Sequence, residues 1–193
     1  IPWYNKRSEI TSVELIDGLT SVGNSAFWNC SNLTKVDIPN SVISIGYSAF
    51  KDCYNLKWVT ISDNAKKIND FAFEQCNNLR SVKIGYNVEE IGNSVFYGCN
   101  KIERIIIPYG VKKIGNLTFY GCENLWRVRI PSSVTEIGYY AFSHIGNSYG
   151  LHVYRDTYAY DYAINNKLSC SYGDEPEAVS ICDNNINSEV RNN

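Results

Sequence analysis

The chain has no methionine, only two histidines, and no uninterrupted apolar stretch approaching the ~18 residues that a membrane-spanning helix requires. Without such a run, no membrane insertion of this segment is expected. The histidines, His144 and His152, share no metal-ligand spacing with the cysteines, and no nucleophile elbow, phosphate loop or zinc-protease helix occurs. No catalytic residue, metal or cofactor is therefore expected. Neither charge predominates: 18 basic side chains face 20 acidic ones. The paired lysines Lys66-Lys67 and Lys112-Lys113 fall at turns, where they solvate an edge, and no nucleic-acid partner is expected. The start at Ile1, with no charged-then-apolar leader, reads with the absent methionine as an excised module or processed product.

What the chain does contain is one repeated unit. Phenylalanine recurs every 23 residues at Phe27, Phe50, Phe73, Phe96, Phe119 and Phe142, and cysteine keeps the same step at Cys30, Cys53, Cys76, Cys99 and Cys122. An uninterrupted period in the twenties predicts a solenoid whose coils each supply a strand and a return segment. The expected fold is mostly β, with short helical or 3₁₀ turns.

Each unit carries a strand signal, as in Leu33, Val36, Ile38 and again Leu125, Val128, Ile130. Alternation turns the last two of each trio inward and leaves the residues between them facing solvent. A turn follows, marked by Pro39, Pro108 and Pro131, and the chain returns to a second inner row at Ile45, Ile68, Ile91, Ile114 and Ile137. The next row reads Gly23, Gly46, Asn69, Gly92, Gly115 and Gly138. Because asparagine is the non-glycine residue most at ease at positive φ, this row is expected to hold a left-handed backbone. The stretch from Ala26-Phe27 to Cys30 is too short for a proper helix and is expected to form a single helical or 3₁₀ turn. Asn32, Asn55, Asn78 and Asn124 are expected to bond backbone groups at the bend.

The five periodic cysteines would stack at roughly 4.8 Å with parallel side chains, a geometry unsuited to bridging, so they are read as buried free thiols. Cys170 and Cys182 lie outside that ladder and can pair in an oxidising environment or stay reduced. Asn29-Cys-Ser, Asn32-Leu-Thr and Asn116-Leu-Thr match the glycosylation sequon but sit in structural rows, and are read as coincidence.

The expected organisation is an N-terminal cap at 1–12, the solenoid at 13–155, a C-terminal capping helix and coil at 156–172, and a flexible acidic, asparagine-rich tail or linker at 173–193. Pro2-Trp3-Tyr4 is expected to fold over the first coil, and Asp156 to cap the terminal helix.

The motif Ile-Gly-x-x-Ala-Phe-x-x-Cys-x-Asn-Leu-x-x-Val-x-Ile-Pro, seen from Ile45 and again from Ile114, closely resembles the BspA-like (Treponema-type) leucine-rich repeat. The resemblance spans roughly 10–155, and the terminal helix resembles the usual ending of that family. It implies a right-handed leucine-rich repeat solenoid from a secreted or cell-surface protein of bacteria or some protozoan parasites. It also implies an adhesion-type function without shared catalytic residues.

Inward side chains hold such coils together, so specificity must come from outward strand positions. Basic residues predominate there: Lys57 would stack on Arg80 and Arg104 on Arg127, with Lys83 and Arg129 nearby. Stacked like charges are a poor choice for stability alone. Trp58, Trp126 and Ile106 lie on the strands, and Tyr86 is expected to stack on Tyr109 just past them. Arginine, tryptophan and tyrosine are the residues enriched at interface hot spots. The candidate binding residues are thus Lys57, Trp58, Arg80, Lys83, Tyr86, Arg104, Ile106, Tyr109, Trp126, Arg127 and Arg129. Three readings stay open: a module binding a host matrix protein or another surface protein through this sheet, a carbohydrate-binding module using its aromatics, and a ligand-free spacer.

Overall fold

The computed structural model describes residues 3–146 and 150–173. A 3₁₀ helix at Tyr4–Glu9 precedes β1 (Ser21–Val22), β2 (Lys35–Asp37), β3 (Ser44–Ile45), β4 (Trp58–Thr60), β5 (Lys67–Ile68), β6 (Ser81–Lys83), β7 (Glu90–Ile91), β8 (Arg104–Ile106), β9 (Lys113–Ile114), β10 (Arg127–Arg129), β11 (Glu136–Ile137) and β12 (Leu151–Tyr154). Helix α1 (Tyr158–Asn165) and β13 (Cys170–Gly173) follow. The chain is a β-solenoid, and its coils contribute strands to two sides. The odd-numbered strands β1 to β11 form one continuous six-stranded sheet, whereas the other side is divided into β2-β4-β6 and β8-β10-β12-β13. Every pairing is parallel and, from β1 to β12, shifted by one repeat, as in Ile45 against Ile68 and Val36 against Val59. The inward rows are buried as the alternation requires, except that Val82 is half-buried beside the division between β6 and β8. Ile10, Val13 and Leu15 pack only partly against the core and form no strand.

The third side is a chain of tight turns with alternating hydrogen bonds. The N–H groups of Ala26, Trp28 and Cys30 donate three residues back within the coil, as in a 3₁₀ turn. Those of Ser25, Phe27 and Asn29 instead donate to the carbonyls of Tyr47, Ala49 and Lys51 on the next coil, at 2.8, 2.7 and 2.8 Å. Aiming successive N–H groups in different directions requires the backbone to change hand. Two residues of each such turn accordingly have positive φ, Ser25 and Asn29 in the first and Leu117 and Gly121 in the fifth.

This corrects the expectation for the glycine row. Gly23, Gly46, Asn69, Gly92, Gly115 and Gly138 are not among the residues of positive φ. At Gly46, Gly92, Gly115 and Gly138 glycine fits because the coils approach too closely for a Cβ. A Cβ on Gly46 would lie 2.7 Å from backbone atoms of Val22, Gly23 and Asn24, and one on Gly115 would lie 2.5 Å from the carbonyl carbon of Gly92. Asn69 instead turns its amide onto the Ile45 carbonyl at 2.7 Å. Gly23 has nothing within 4 Å of its Cβ position among the described residues.

Inside, identical side chains stack. The phenylalanine rings from Phe27 to Phe142 lie nearly parallel with centroids 5.2 to 5.6 Å apart. Trp3 continues the column at one end, 5.8 Å from Phe27, and Tyr162 of α1 meets Phe142 edge-on at 6.2 Å at the other. Pro2 lies outside the described residues. The ladder cysteines are buried and free. Each thiol from Cys53 to Cys122 donates to the carbonyl of the preceding coil's phenylalanine at 3.1 to 3.3 Å. Burial pushes the Cys122 thiol up to about 12 and raises Cys53, Cys76 and Cys99 as well. Cys170 is half-buried on β13, and Cys182 lies outside the described residues.

The asparagines bridge coils at the bend, with Asn32 Nδ2 donating to the Ser8 carbonyl and Asn78 Nδ2 to that of Tyr54. A second amide row, not anticipated from the sequence, accepts from the next coil: Asn93 Oδ1 from Asn116 N–H, and Asn116 Oδ1 from Tyr139 N–H, both at 2.8 Å. The cap of α1 is Thr157 rather than Asp156. Thr157 is extended and its hydroxyl accepts from Tyr160 N–H at 3.3 Å, while Asp156 occupies a positive-φ turn.

Two outcomes test this packing. Gly115→Ala destabilises the chain by about 1–3 kcal/mol through overpacking against Gly92, whereas Gly23→Ala changes stability by less than about 0.5 kcal/mol. Equal urea midpoints for the two variants would contradict the close-approach account. In the native state the five ladder thiols resist iodoacetamide, because the reactive thiolate is suppressed and covered; mass spectrometry should find them labelled only at urea concentrations that unfold the chain.

Candidate functional site

Outward positions on the two sheets differ in their charge arrangement. On the six-stranded sheet, Lys67, Glu90, Lys113 and Glu136 follow one another in register. Opposite charges there pair directly, Lys67 with Glu90 at 2.8 Å and Lys113 with Glu136 at 2.7 Å. On the other side, alternation along β8 and β10 buries Ile105 and Val128 and turns Arg104, Ile106, Arg127 and Arg129 outward. Arg104 is in register with Arg127, and Ile106 with Arg129. Neighbouring parallel strands stand roughly 4.8 Å apart, so the exposed Arg104 and Arg127 are set side by side. Among the described residues every ion pair uses a lysine, and none involves Arg80, Arg104 or Arg127.

The remaining basic residue of this patch is anchored. Arg129 Nε donates to the Tyr154 hydroxyl at 2.9 Å. His152, in register with Arg129, places Nδ1 3.1 Å from the Ser171 hydroxyl. Its pKa lies below the ordinary histidine value, first because it is partly buried and then because Arg129 and Arg127 oppose a further positive charge. Trp126, Arg127, Gly150, His152 and Ser171 line a shallow cleft of about 360 Å³. Ile106, 43% exposed, adds an apolar element beside the arginines.

Most of the other candidates lie across the break in hydrogen bonding between β6 and β8. The Lys57 ammonium lies 5.7 Å from the centroid of the exposed Trp58 ring. That of Lys83 lies 5.5 Å from the Tyr86 ring and 3.7 Å from the Asp63 carboxylate. Arg80 is exposed, and its backbone N–H donates to the Lys57 carbonyl at 2.9 Å. Tyr86 and Tyr109 are both exposed, but the ring contacts of the described residues do not include the stack expected between them, and Tyr86 has the Lys83 ammonium as its neighbour instead. The structure thus sets Arg104 and Ile106 in register with Arg127 and Arg129, with Trp126 and Arg127 sharing the cleft, while Lys57, Trp58, Arg80, Lys83 and Tyr86 lie on or beside β4 and β6 and Tyr109 follows β8. His152, whose register with Arg129 puts it in the same outward row, joins that patch, as do Tyr154 and Ser171, which were not expected there. His152 lies one period beyond Arg129, so the repeat itself carries a signal for it, whereas Ser171 lies off the period because it arrives on β13 after the helix.

The chain is similar to known repeat proteins. The family model described as "BspA type Leucine rich repeat region" matches in six copies, over residues 3–116 and 89–172. No curated protein matches the chain. Among solved structures, the chain is similar to a leucine-rich repeat protein of Treponema pallidum at 23% identity and a TM-score of 0.62, covering 86% of this chain and 87% of that one. It is similar to a leucine-rich cell surface protein of Faecalibacterium prausnitzii at 25% identity and a TM-score of 0.55, covering 74% of this chain and 46% of that one. A leucine-rich repeat protein of Bacteroides ovatus is similar at 22% identity and a TM-score of 0.53, with 77% and 54% covered.

The lowered pKa of His152 has a consequence for stability. The folded chain binds a proton at His152 less readily than the unfolded chain does, so this contribution is complete above the ordinary histidine value of ~6.5 and is lost as the pH falls through the lowered folded value. His152→Gln should therefore flatten the decline of the urea midpoint on acidification below about pH 7. An acid limb as steep as that of the parent chain would contradict the assignment.

Proposed function

The chain belongs to the BspA-type leucine-rich repeat family, and from that premise we propose that it is a non-catalytic, adhesion-type protein-interaction module of a secreted or cell-surface protein. Its partner presents an acidic surface to the patch formed by Arg104, Ile106, Trp126, Arg127 and Arg129. The observation that carries this reading is the in-register pair Arg104 and Arg127, which has no ion-pair partner among the described residues, on a molecule whose opposite sheet pairs its charges. Adjacent like charges oppose folding, and an acidic partner would relieve them. Arginine and tryptophan around an exposed isoleucine also supply residue types that dominate interface energetics. The cell-surface description of the Faecalibacterium relative supports the location. Lysine ammonium groups beside Trp58 and Tyr86 leave less of those two rings to a sugar.

The test is biolayer interferometry of the folded chain against host matrix proteins and bacterial surface proteins at low and physiological salt. Binding should weaken as salt rises. The double substitution Arg104→Ala/Arg127→Ala should weaken it at least tenfold, about 1.4 kcal/mol, whereas Lys113→Ala/Glu136→Ala on the other sheet should leave it unchanged. A partner that binds both doubles equally well would overturn the assignment of the face, and absence of any partner would favour a spacer.

A further inference from the structure

A second concavity lies on the turn side of the solenoid, away from the arginine patch. Tyr97, Leu117, Tyr120, Tyr140, Ser143 and His144 line an open, shallow cleft of about 440 Å³. Three rows of the repeat change character together here. The residue after each phenylalanine is Lys51 and Glu74 in two earlier coils, joined as an ion pair at 2.7 Å. In the next two coils it becomes Tyr97 and Tyr120, whose rings stack 5.2 Å apart and 8° from parallel. His144 then tilts against Tyr120 at 4.8 Å.

The third change is at a positive-φ position. Ser25, Ser48 and Ser94 occupy it in three coils, and Leu117 and Tyr140 occupy it at the cleft, with φ of 56° and 54°. That backbone region disfavours bulky side chains. Phe71 shares the row, but Tyr47 packs edge-on against it at 5.2 Å and the Lys51 ammonium lies 5.6 Å from its ring. Leu117 and Tyr140 instead border open space, and Tyr140 is 65% exposed.

We propose that this cleft is a binding site for a short neutral oligosaccharide. Among the described residues no lysine, arginine or carboxylate lines it, so their chemistry does not select a charged ligand. Its polar groups are the hydroxyls of Tyr97, Tyr120, Tyr140 and Ser143 and the imidazole of His144. A hydroxyl both donates and accepts, as the hydroxyls of a sugar do, while the aromatic rings and Leu117 suit the C–H faces of a pyranose. A proline-rich peptide offers carbonyl acceptors alone and would use only part of this capacity.

The experiment is calorimetric and NMR titration of the folded chain with maltohexaose, cellohexaose and N-acetylchitohexaose, with decaproline as the competing class. Tyr140→Ser and His144→Asn carry residues that the repeat itself places at those rows in Ser25 and Asn29, which keeps the coil intact. Saturable binding of at least one sugar is expected, insensitive to salt, with the His144 imidazole signals shifting and those of His152 unmoved. Tyr140→Ser should weaken it at least tenfold, and Arg104→Ala/Arg127→Ala should not affect it. Affinities weaker than about 10 mM for all three sugars, binding of decaproline in their place, or sugar binding unchanged in Tyr140→Ser would each overturn the proposal.

Discussion

In the tight turns from Ser25 to Gly121, every second N–H group donates to a carbonyl of the next coil rather than within its own. That requirement fixes the distance between coils, and the rest of the architecture follows from it. Buried amides left unpaired would each oppose folding, so the coils must approach to hydrogen-bonding distance. Glycine at 46, 92, 115 and 138 permits that approach, and the phenylalanine column and thiol-to-carbonyl bonds fill the interior that it creates. At the two ends of the column, Trp3 stacks on Phe27 and Tyr162 meets Phe142 edge-on.

With the interior committed to stacking, function is left to whatever points outward. The two sides then illustrate opposite uses of the same geometry. In-register neighbours can neutralise one another, as lysine and glutamate do on the six-stranded sheet, or accumulate one sign, as Arg104 and Arg127 do. The first arrangement is complete in itself, and the second leaves unbalanced charge at the surface.

Much of this is legible in the sequence because periodicity reports directly on stacking. The positions of Phe27 through Phe142 and Cys30 through Cys122 disclose the columns without any structure. The glycine row misleads because glycine answers two different needs, positive φ and the absence of a Cβ, and a sequence does not say which one applies. The true positive-φ positions are hidden behind residues as unlike as Ser48, Phe71 and Leu117. The division between β6 and β8 separates candidates that a strict repeat would keep together. The cleft beside Tyr97 and Tyr120 is harder still to foresee, because it depends on how three turn rows vary together rather than on any residue that recurs.

The alternation of Lys67, Glu90, Lys113 and Glu136 has a consequence for how such a chain can change length. Repeat arrays grow and shrink by whole units, and each unit here carries one member of an alternating pair. Loss of the single coil bearing Glu90 would set Lys67 against Lys113, whereas loss of two adjacent coils would restore lysine against glutamate. Within this stretch the face therefore records the parity of the repeat number.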